Sequence, residues 1–228
     1  MEIIPAILPK NFKEIVEKID LIKDFSDKVQ IDICDGKYVP TITWPYWKSD
    51  IKPDEDFEAI LREDKGMPEW ERIDYEFDLM IKDPSEDDAR KWLSAGATKI
   101  ILHLESSKDL NPVLNILNGL VEIGIAIGNL GNVEDLRKYI DKIQFVQVMG
   151  IRKAGFQGQK FEETTLEKVK EIKEVYPNIK VQVDGGVSLD NADSLKQVGV
   201  DSLAVGSALF GNNSLEDIVD TLEEFRAI

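Results

Sequence analysis

Short apolar segments with the character of β-strands alternate with amphipathic helical segments along the 228-residue chain. Several of the short segments, such as Ile100-Ile101-Leu102, are continuously apolar, which is typical of parallel strands buried on both faces. The pattern predicts eight strands: Ile3–Leu8, Lys28–Ile33, Ile73–Leu79, Lys99–Leu104, Gly124–Ile127, Phe145–Met149, Lys180–Asp184 and Ser202–Val205.

The segments between these strands carry signals for helix N-termini. The last helix, near Ser214–Phe225, places its apolar residues along one face. Three helices begin with an amide or hydroxyl side chain followed three residues later by an acid, a capping-box-like signature: Asn11 with Glu14, Ser85 with Asp88, and Ser214 with Asp217.

Eight strand–helix units in a chain of this length predict a closed α/β barrel, the (β/α)8 or TIM-barrel fold. An open, doubly wound sheet is the alternative, but the glycine fingerprint of dinucleotide-binding sheets is absent after the first predicted strand. No linker rich in Pro, Gly or Ser interrupts the pattern. We therefore expect residues 1–228 to form a single barrel domain.

One stretch, Thr41–Arg72, departs from the alternation. It carries Trp44, Trp47 and Trp70, and one helix is predicted near Asp54–Glu63. The aromatic side chains either pack over the mouth of the barrel, which we favour, or stay exposed as a lid or a subunit contact. The second alternative would fit a homo-oligomer.

The net charge of the chain excludes some classes of binding partner. The formal net charge is −16, from 44 acidic and 28 basic residues, so the surface repels nucleic acid and anionic membranes. No apolar run is long enough to cross a membrane, and the N-terminus lacks the features of a signal peptide. With a single cysteine, Cys34, a cytoplasmic location is expected.

Acidic side chains mark the C-terminal ends of two predicted strands, where barrel active sites lie. Asp184 ends the seventh strand and precedes two glycines, and Asp32 lies near the end of the second. Asp184 is either functional or a turn-forming cap, and Asp32 is either functional or an interior acid paired with a lysine. Strand alternation puts Gln30 and Cys34 on the same face as Asp32.

Further polar and sulfur-containing side chains lie at other strand ends. Asp78 and Met80 share a face in the third strand, His103 and Glu105 belong to the fourth, and Met149 ends the sixth. Together with Asp32 and Asp184 they predict a polar site at one end of the barrel.

Glycines cluster after the last three strands and predict a phosphate site. Glycine lets backbone amides approach an anion closely, and the loops after strands seven and eight form the usual phosphate site of barrels. The candidate residues are Gly155, Gln157, Gly158, Gly185, Gly186, Gly206 and Ser207. We expect them to bind a small phosphorylated sugar.

These residues lie in motifs through which the chain resembles the ribulose-phosphate 3-epimerase family along nearly its whole length. The matching segments are Pro5–Leu8, Asp32–Pro40, Asp78–Met80, His103–Glu105, Gly155–Phe161, Val183–Val187 and Val205–Phe210. The runs Asp-Gly-x-x-Val-Pro and Asp-Gly-Gly-Val, in that order, are specific in combination. The resemblance implies a ribulose-phosphate-binding barrel that interconverts ribulose 5-phosphate and xylulose 5-phosphate.

The resemblance also implies roles for individual residues. Asp32 and Asp184 correspond to the two aspartates that act on opposite faces of C3, one removing a proton and the other returning one. Cys34, Met80 and Met149 correspond to positions that line the site. The family holds a divalent metal with the same two aspartates and two histidines.

Both histidine positions differ here: Gln30 replaces one and Asp78 the other. A set of Gln30, Asp32, Asp78 and Asp184 suits Mg²⁺, Mn²⁺ or Ca²⁺ better than zinc. The other interpretation is that no metal binds, and that one of the crowded acids holds a proton. The single histidine, His103, aligns with a different family position and is either functional or a hydrogen-bonded core residue.

Three functions remain open. The first is an epimerase of a ketose phosphate with an altered metal site, supported by Asp32 and Asp184. The second is a non-catalytic relative that binds a sugar phosphate or a protein, supported by the replaced histidines and by the Trp-rich stretch Thr41–Arg72. The third is a decarboxylase or synthase on the same barrel. The last is disfavoured because the Asp-x-Lys-x-x-Asp run of such enzymes is missing after Asp32.

Overall fold

The computed structural model describes residues 1–46, 54–211 and 214–228. Its eight strands pair in parallel, each with its sequence neighbour, and β1 closes on β8. The TIM-barrel prediction is confirmed, and each strand boundary lies within two residues of the predicted one. The strands are β1 (Glu2–Ile7), β2 (Lys28–Cys34), β3 (Asp74–Met80), β4 (Ala97–His103), β5 (Glu122–Ile127), β6 (Phe145–Met149), β7 (Lys180–Asp184) and β8 (Ser202–Val205).

Helices connect the strands around the outside of the barrel. They are α1 (Phe12–Ile22), α2 (Glu55–Leu61), α3 (Glu86–Ser94), α4 (Asn111–Leu117), α5 (Thr164–Val175), α6 (Leu189–Gln197), α7 (Ser207–Phe210) and α8 (Leu215–Ala227). Between β5 and β6 the chain forms 3₁₀ turns instead, at Val133–Lys138 and Ile140–Lys142. None of the described helices is long and apolar enough to span a membrane.

The predicted N-terminal caps are present. The Asn11 side chain accepts a hydrogen bond from the Glu14 amide, and Ser85 and Ser214 each form a reciprocal capping box with the acid three residues on. Each cap satisfies a backbone N–H that the helix itself leaves without a partner. These local signals fix where the helices begin.

Strand alternation separates two buried layers. Ile31 and Ile33 of β2 point outward into the large apolar core beneath the helices. Gln30 and Asp32, which alternate with them, are also buried but join a network of polar side chains. The interior of this barrel is therefore unusually polar, since TIM barrels usually fill it with Val, Ile and Leu.

Trp44 of the Trp-containing segment does not pack over the barrel mouth, so the favoured expectation for this side chain is wrong. Trp44, only 1% exposed, packs among Phe12 of α1, Phe57 of α2 and Trp92 of α3. Its indole N–H donates to Asp54, the N-cap of α2, at 2.8 Å. Trp44 thus fills the layer between helices and barrel.

The other two tryptophans of that segment differ from Trp44. Trp70 is 65% exposed and lies against Gly66. Trp47 lies outside the described residues.

Truncating Trp44 should destabilise the fold strongly. Trp44→Ala leaves a cavity within the aromatic cluster and leaves Asp54 without its indole donor, so we expect a loss of about 3–5 kcal/mol in the free energy of unfolding. Trp70→Ala is the matched control and should change it by less than about 0.5 kcal/mol. Urea unfolding of both variants measures the difference. Equal losses would contradict the packing described.

Candidate active site

Three aspartates converge at the C-terminal end of the barrel. On the inward faces, Asp32 lies two residues before the end of β2, Asp78 lies two residues before the end of β3, and Asp184 ends β7. One carboxylate oxygen of each lies within 4.8 Å of the others. Their exposures are 5%, 0% and 8%, so three acids share one nearly dry site. Residues that are distant in sequence meet here because β2, β3 and β7 end at the same rim.

Asp78 is held by two side chains. His103, at the end of β4, places Nε2 at 2.8 Å from Asp78 Oδ1, and the Gln147 amide donates to Asp78 Oδ2 at 3.0 Å. His103 is itself buried, and the Tyr38 ring packs against it. The one histidine of the chain is therefore a hydrogen-bonded interior residue that touches the acid cluster.

Gln30 lies one step deeper in β2 and presents its nitrogen to the site. Gln30 Nε2 donates to Asp32 Oδ1 at 2.8 Å, and Gln30 Oε1 accepts from Gln182 Nε2 at 3.1 Å. A cation would require the oxygen end of this amide. In the arrangement seen here, that end points away from the three carboxylates.

Burial and mutual repulsion dominate the electrostatics of the acids. Burial, followed by the charges of Asp184 and Asp78, raises the pKa of Asp32 well above its ordinary value. Burial and Asp78 raise the pKa of Asp184 to about 7, against the opposing effects of the Gln30 hydrogen bond and of His103. Near neutral pH the cluster therefore holds a proton.

Two neighbouring groups, Glu76 and His103, also have raised pKa values. Burial raises the pKa of Glu76, one step below Asp78, to about 7, although Lys99 opposes the rise. Burial alone would lower the pKa of His103, but the adjacent Asp78 carboxylate outweighs it and the pKa is raised. The cluster thus favours proton uptake as a whole.

The three carboxylates suit a hard divalent cation. They offer only oxygen atoms, and their mutual distances match ligands that share one ion. The Gln30 amide, as placed, adds no oxygen ligand. The donor set that fits a cation is therefore Asp32, Asp78 and Asp184.

A small cavity of about 30 Å³ lies over the aspartates. It brings together all seven residues that the sequence indicated for phosphate binding. It is lined by Ala6, Asp32, Met80, Met149, Ile151, Gly155, Phe156, Gln157, Gly158, Asp184, Gly185, Gly186, Val187, Ala204, Gly206 and Ser207.

Several glycines of this lining are required by close backbone contacts. Gly186 has a φ of +68°, and a Cβ there would lie 2.8 Å from the Phe161 backbone. A Cβ on Gly206 would lie 2.6 Å from Gln157 Nε2, which in turn donates to the Ala6 carbonyl at 3.3 Å. The loops after β6, β7 and β8 therefore meet over the cavity with little space between them.

Sulfur-containing side chains form one wall of the site. Met80 and Met149 line the cavity, whereas Cys34 is fully buried behind Met80, with its Sγ 3.8 Å from Met80 Sδ. Burial raises the pKa of the Cys34 thiol, so it stays protonated. This wall excludes water from the acids.

A wider groove of about 650 Å³ adjoins the cavity on the side of β4, β5 and β6. The two share Met149, Ile151 and Phe156. His103 and Glu105 line this groove, together with Asn129, Arg152 and Lys153. The site as a whole is large enough for a small ligand that extends beyond the aspartates.

The sequence interpretation missed four inward-facing residues. Gln147, Gln182 and Glu76 are buried and hydrogen-bonded beneath the acids, and Ser202 donates to Gln182. A signal was available, because Gln30, Glu76 and Gln182 each lie two residues before one of the three aspartates and Gln147 lies two residues before Met149, so strand alternation puts all four on the inward face.

The metal-free protein should lose stability as the pH rises from 5.5 to 8. Asp32, Asp184 and Glu76 have raised pKa values in the fold, so the unfolded chain releases their protons at lower pH and is stabilised relative to the native state as the pH rises. The stabilisation from His103, whose pKa is also raised, disappears over the same range.

Thermal unfolding in EDTA at the two pH values measures this loss. We expect more than about 1 kcal/mol for the wild type, and a smaller loss for Asp184→Asn, which has one titrating group fewer. Asp193→Asn, a change on the exposed face of α6, should leave the pH dependence as it is. Stability that rises with pH would contradict the assignment.

The same motifs identify relatives by sequence. A profile of the Ribulose-phosphate 3 epimerase family matches residues 2–210. The ribulose-phosphate 3-epimerase of Aquifex aeolicus (strain VF5) is 28% identical over 221 residues, covering 93% of this chain and 90% of its own. That of Escherichia coli (strain K12) is 28% identical over 229 residues, covering 96% of this chain and 93% of its own.

Solved structures share the architecture at lower identity. The 3-hexulose-6-phosphate synthase from Salmonella typhimurium has a TM-score of 0.72 at 14% identity, over 100% of this chain and 97% of that one. KGPDC from Streptococcus mutans in complex with D-R5P has a TM-score of 0.69 at 16% identity, over 99% and 97%. These likenesses establish the fold alone. Taken with the profile match over most of its length, the chain belongs to the ribulose-phosphate 3-epimerase family.

Proposed function

We propose that the protein epimerises a ketose phosphate of the ribulose 5-phosphate/xylulose 5-phosphate type at C3, with Asp32 and Asp184 as the two proton carriers. One observation carries the proposal. Two buried carboxylates, from β2 and β7, border the same cavity beside the glycine loops. Family membership supports the same reaction.

The positions of the two acids match the needs of inversion. In the closed barrel β2 and β7 are separated by β1 and β8, so Asp32 and Asp184 approach the cavity from different sides. A C3 carbon between them presents one face to each. One carboxylate takes the proton and the other, already protonated, delivers one to the opposite face.

The protonation states that this step requires fit the site. One acid must begin ionised and the other neutral. Burial and mutual repulsion raise the pKa of both Asp32 and Asp184, so the site does not ionise both readily. The proton that leaves C3 is thus taken up by a group of increased basicity.

The enediolate formed on proton removal needs stabilisation of its negative charge. A divalent cation held by Asp32, Asp78 and Asp184 would supply Lewis-acid stabilisation of those oxygens. The chain itself contributes His103, which positions Asp78, and the Met80 and Met149 side chains, which keep water from the reacting carbon.

The glycine loops support the phosphate assignment. Gly185 and Gly186 follow Asp184 directly, and Gly206 and Ser207 follow β8, so a phosphate bound there would place the sugar carbons over the aspartates. Because the net charge is −16, attraction must come from local backbone amides. The wider groove on the far side would receive the C1 end of the sugar.

A second candidate is a sugar-phosphate-binding protein without catalytic activity. The replacement of the two family histidines by Gln30 and Asp78 favours it, since both changes fall on the metal site. This candidate has the same phosphate site as the epimerase, but such a protein would catalyse no hydrogen exchange at C3 of the sugar.

Removing either proton carrier should abolish turnover. An amide cannot take up a proton, so Asp32→Asn and Asp184→Asn should each lower kcat about 100- to 10,000-fold. Formation of xylulose 5-phosphate from ribulose 5-phosphate, followed by NMR with Mn²⁺ or Mg²⁺ and without metal, measures the effect. Asp193→Asn is the control on the exposed face of α6. An Asp184→Asn protein that forms xylulose 5-phosphate at the wild-type rate would refute the assigned role.

A methyl group at Gly206 should weaken phosphate binding. Gly206→Ala puts a Cβ near Gln157 and Ala6, in the space where the phosphate is proposed to lie. Losing one hydrogen bond to a charged group is worth about 10- to 100-fold in KM, with kcat changed much less. Inhibition by inorganic phosphate should weaken in parallel. Ser194→Ala, on exposed α6, is the control, and unchanged phosphate inhibition in Gly206→Ala would rule out this location.

A further inference from the structure

Directly beneath the acid cluster lies a second layer of polar side chains. Gln30, Glu76, Gln147 and Gln182 all face the barrel interior, and none is more than 3% exposed. Buried amides lose water, so each must find partners inside the protein. How they are oriented therefore decides which amide end faces the aspartates.

Gln182 of β7 lies at the centre of this layer. Its oxygen accepts from Ser202 Oγ at 2.8 Å. Its nitrogen donates to the Glu76 carboxylate, and it also contacts Gln30 Oε1 at 3.1 Å and Gln147 Oε1 at 2.9 Å. Its two N–H groups are thus shared among three oxygens on one side, while its oxygen faces the Ser202 hydroxyl on the other, and these contacts set the direction of the amide.

The orientations of the Gln30 and Gln147 amides depend on that of Gln182. Since their oxygens lie 3.1 and 2.9 Å from the Gln182 nitrogen and share its two N–H groups with Glu76, their nitrogens point toward the rim, where Gln30 donates to Asp32 at 2.8 Å and Gln147 donates to Asp78 at 3.0 Å. Turning the Gln30 amide over would set its oxygen against a carboxylate and its nitrogen against another N–H donor. Both hydrogen bonds would then be lost in a dry interior.

We propose that Gln182 is a positioning residue that orients the amides of Gln30 and Gln147 toward the aspartates, and that Gln30 serves Asp32 as an N–H donor instead of binding a cation through its oxygen. This inference rests on the proposed role of Asp32 in C3 epimerisation. The donor holds the Asp32 carboxylate in one orientation while it takes up the proton. The position at which the family has a metal-binding histidine thus has a different task here.

Two substitutions by glutamate test whether Gln30 acts as an N–H donor or as an oxygen ligand of a cation. Gln182→Glu keeps the shape of the side chain and removes the donor that orients the other two amides, and Gln30→Glu removes the donor to Asp32. Gln144→Glu is the matched control, because Gln144 accepts from the Ile123 amide through its oxygen and a carboxylate keeps that bond.

Kinetics of C3 exchange give the first readout. We expect Gln182→Glu and Gln30→Glu to lower kcat about 10- to 100-fold with KM nearly unchanged, the size usual for partners that orient active-site groups. Gln144→Glu should behave as wild type. Wild-type kcat in Gln30→Glu would overturn the proposal.

Mn²⁺ binding without substrate gives the second readout. Gln30→Met and Gln147→Met each remove an N–H donor to one aspartate of the cluster, so calorimetric titration should show Mn²⁺ affinities that fall alike, by about tenfold. An affinity at least ten times weaker in Gln30→Met than in Gln147→Met would show that the Gln30 oxygen is a ligand, and would overturn the proposal.

A third measurement uses the wild-type protein, so it does not depend on the folding of any variant. With ¹⁵N-labelled glutamine, the Gln30 and Gln147 NH₂ groups should give slowly exchanging, hydrogen-bonded proton signals that persist when Mg²⁺ is added. Loss of the Gln30 signal on Mg²⁺ addition would count against the proposal. If the wild type catalysed no C3 exchange at all, the proposed function would fail, while these signals would still test the orientation.

Discussion

Three carboxylates buried within 4.8 Å of one another are the constraint on which the rest of this structure depends. Ionised groups in a dry interior are unfavourable unless they are paired or hydrogen-bonded, and like charges at this distance repel. The barrel meets that constraint with His103 and Gln147 at Asp78, with Gln30 at Asp32, and with raised pKa values. Gln30 and Gln147 in turn contact Gln182 in the layer below.

Because much of the barrel interior is polar, the main apolar core lies between the outer faces of the strands and the helices. The strands place isoleucine, leucine and valine on their outer faces, where the helices cover them. Trp44, Phe57 and Trp92 complete that layer on the side of α1 to α3. Stability and chemistry are thus carried by opposite faces of the same strands. A change on one face can alter the site while leaving the main core intact.

The parts that the sequence predicts well are those set by local pattern. Strand and helix boundaries follow from hydrophobic periodicity and caps, and the rule that barrel sites lie at strand ends points to Asp32 and Asp184, which the structure brings to one cavity. The glycines after β6, β7 and β8 line one cavity, as expected from their positions.

The parts that the sequence does not predict depend on side chains meeting across the barrel. The pair of His103 and Asp78 joins β4 to β3, and Gln182 of β7 reaches Gln30 of β2. Such contacts follow from the curvature of the closed barrel and from rotamers, which no single strand pattern specifies. Trp44 shows the same limit, since its place beneath α2 depends on how an irregular segment folds back.

The account is tested most directly by the position of solvent deuterium in the first turnovers of the wild-type protein. Ribulose 5-phosphate is mixed with protein and Mn²⁺ in D₂O, and both ketose phosphates are analysed by NMR before equilibrium. With two acids on opposite faces, the xylulose 5-phosphate formed carries deuterium at C3 while the remaining ribulose 5-phosphate keeps its hydrogen. Label that enters ribulose 5-phosphate first, or a reaction that forms no xylulose 5-phosphate, would contradict the account.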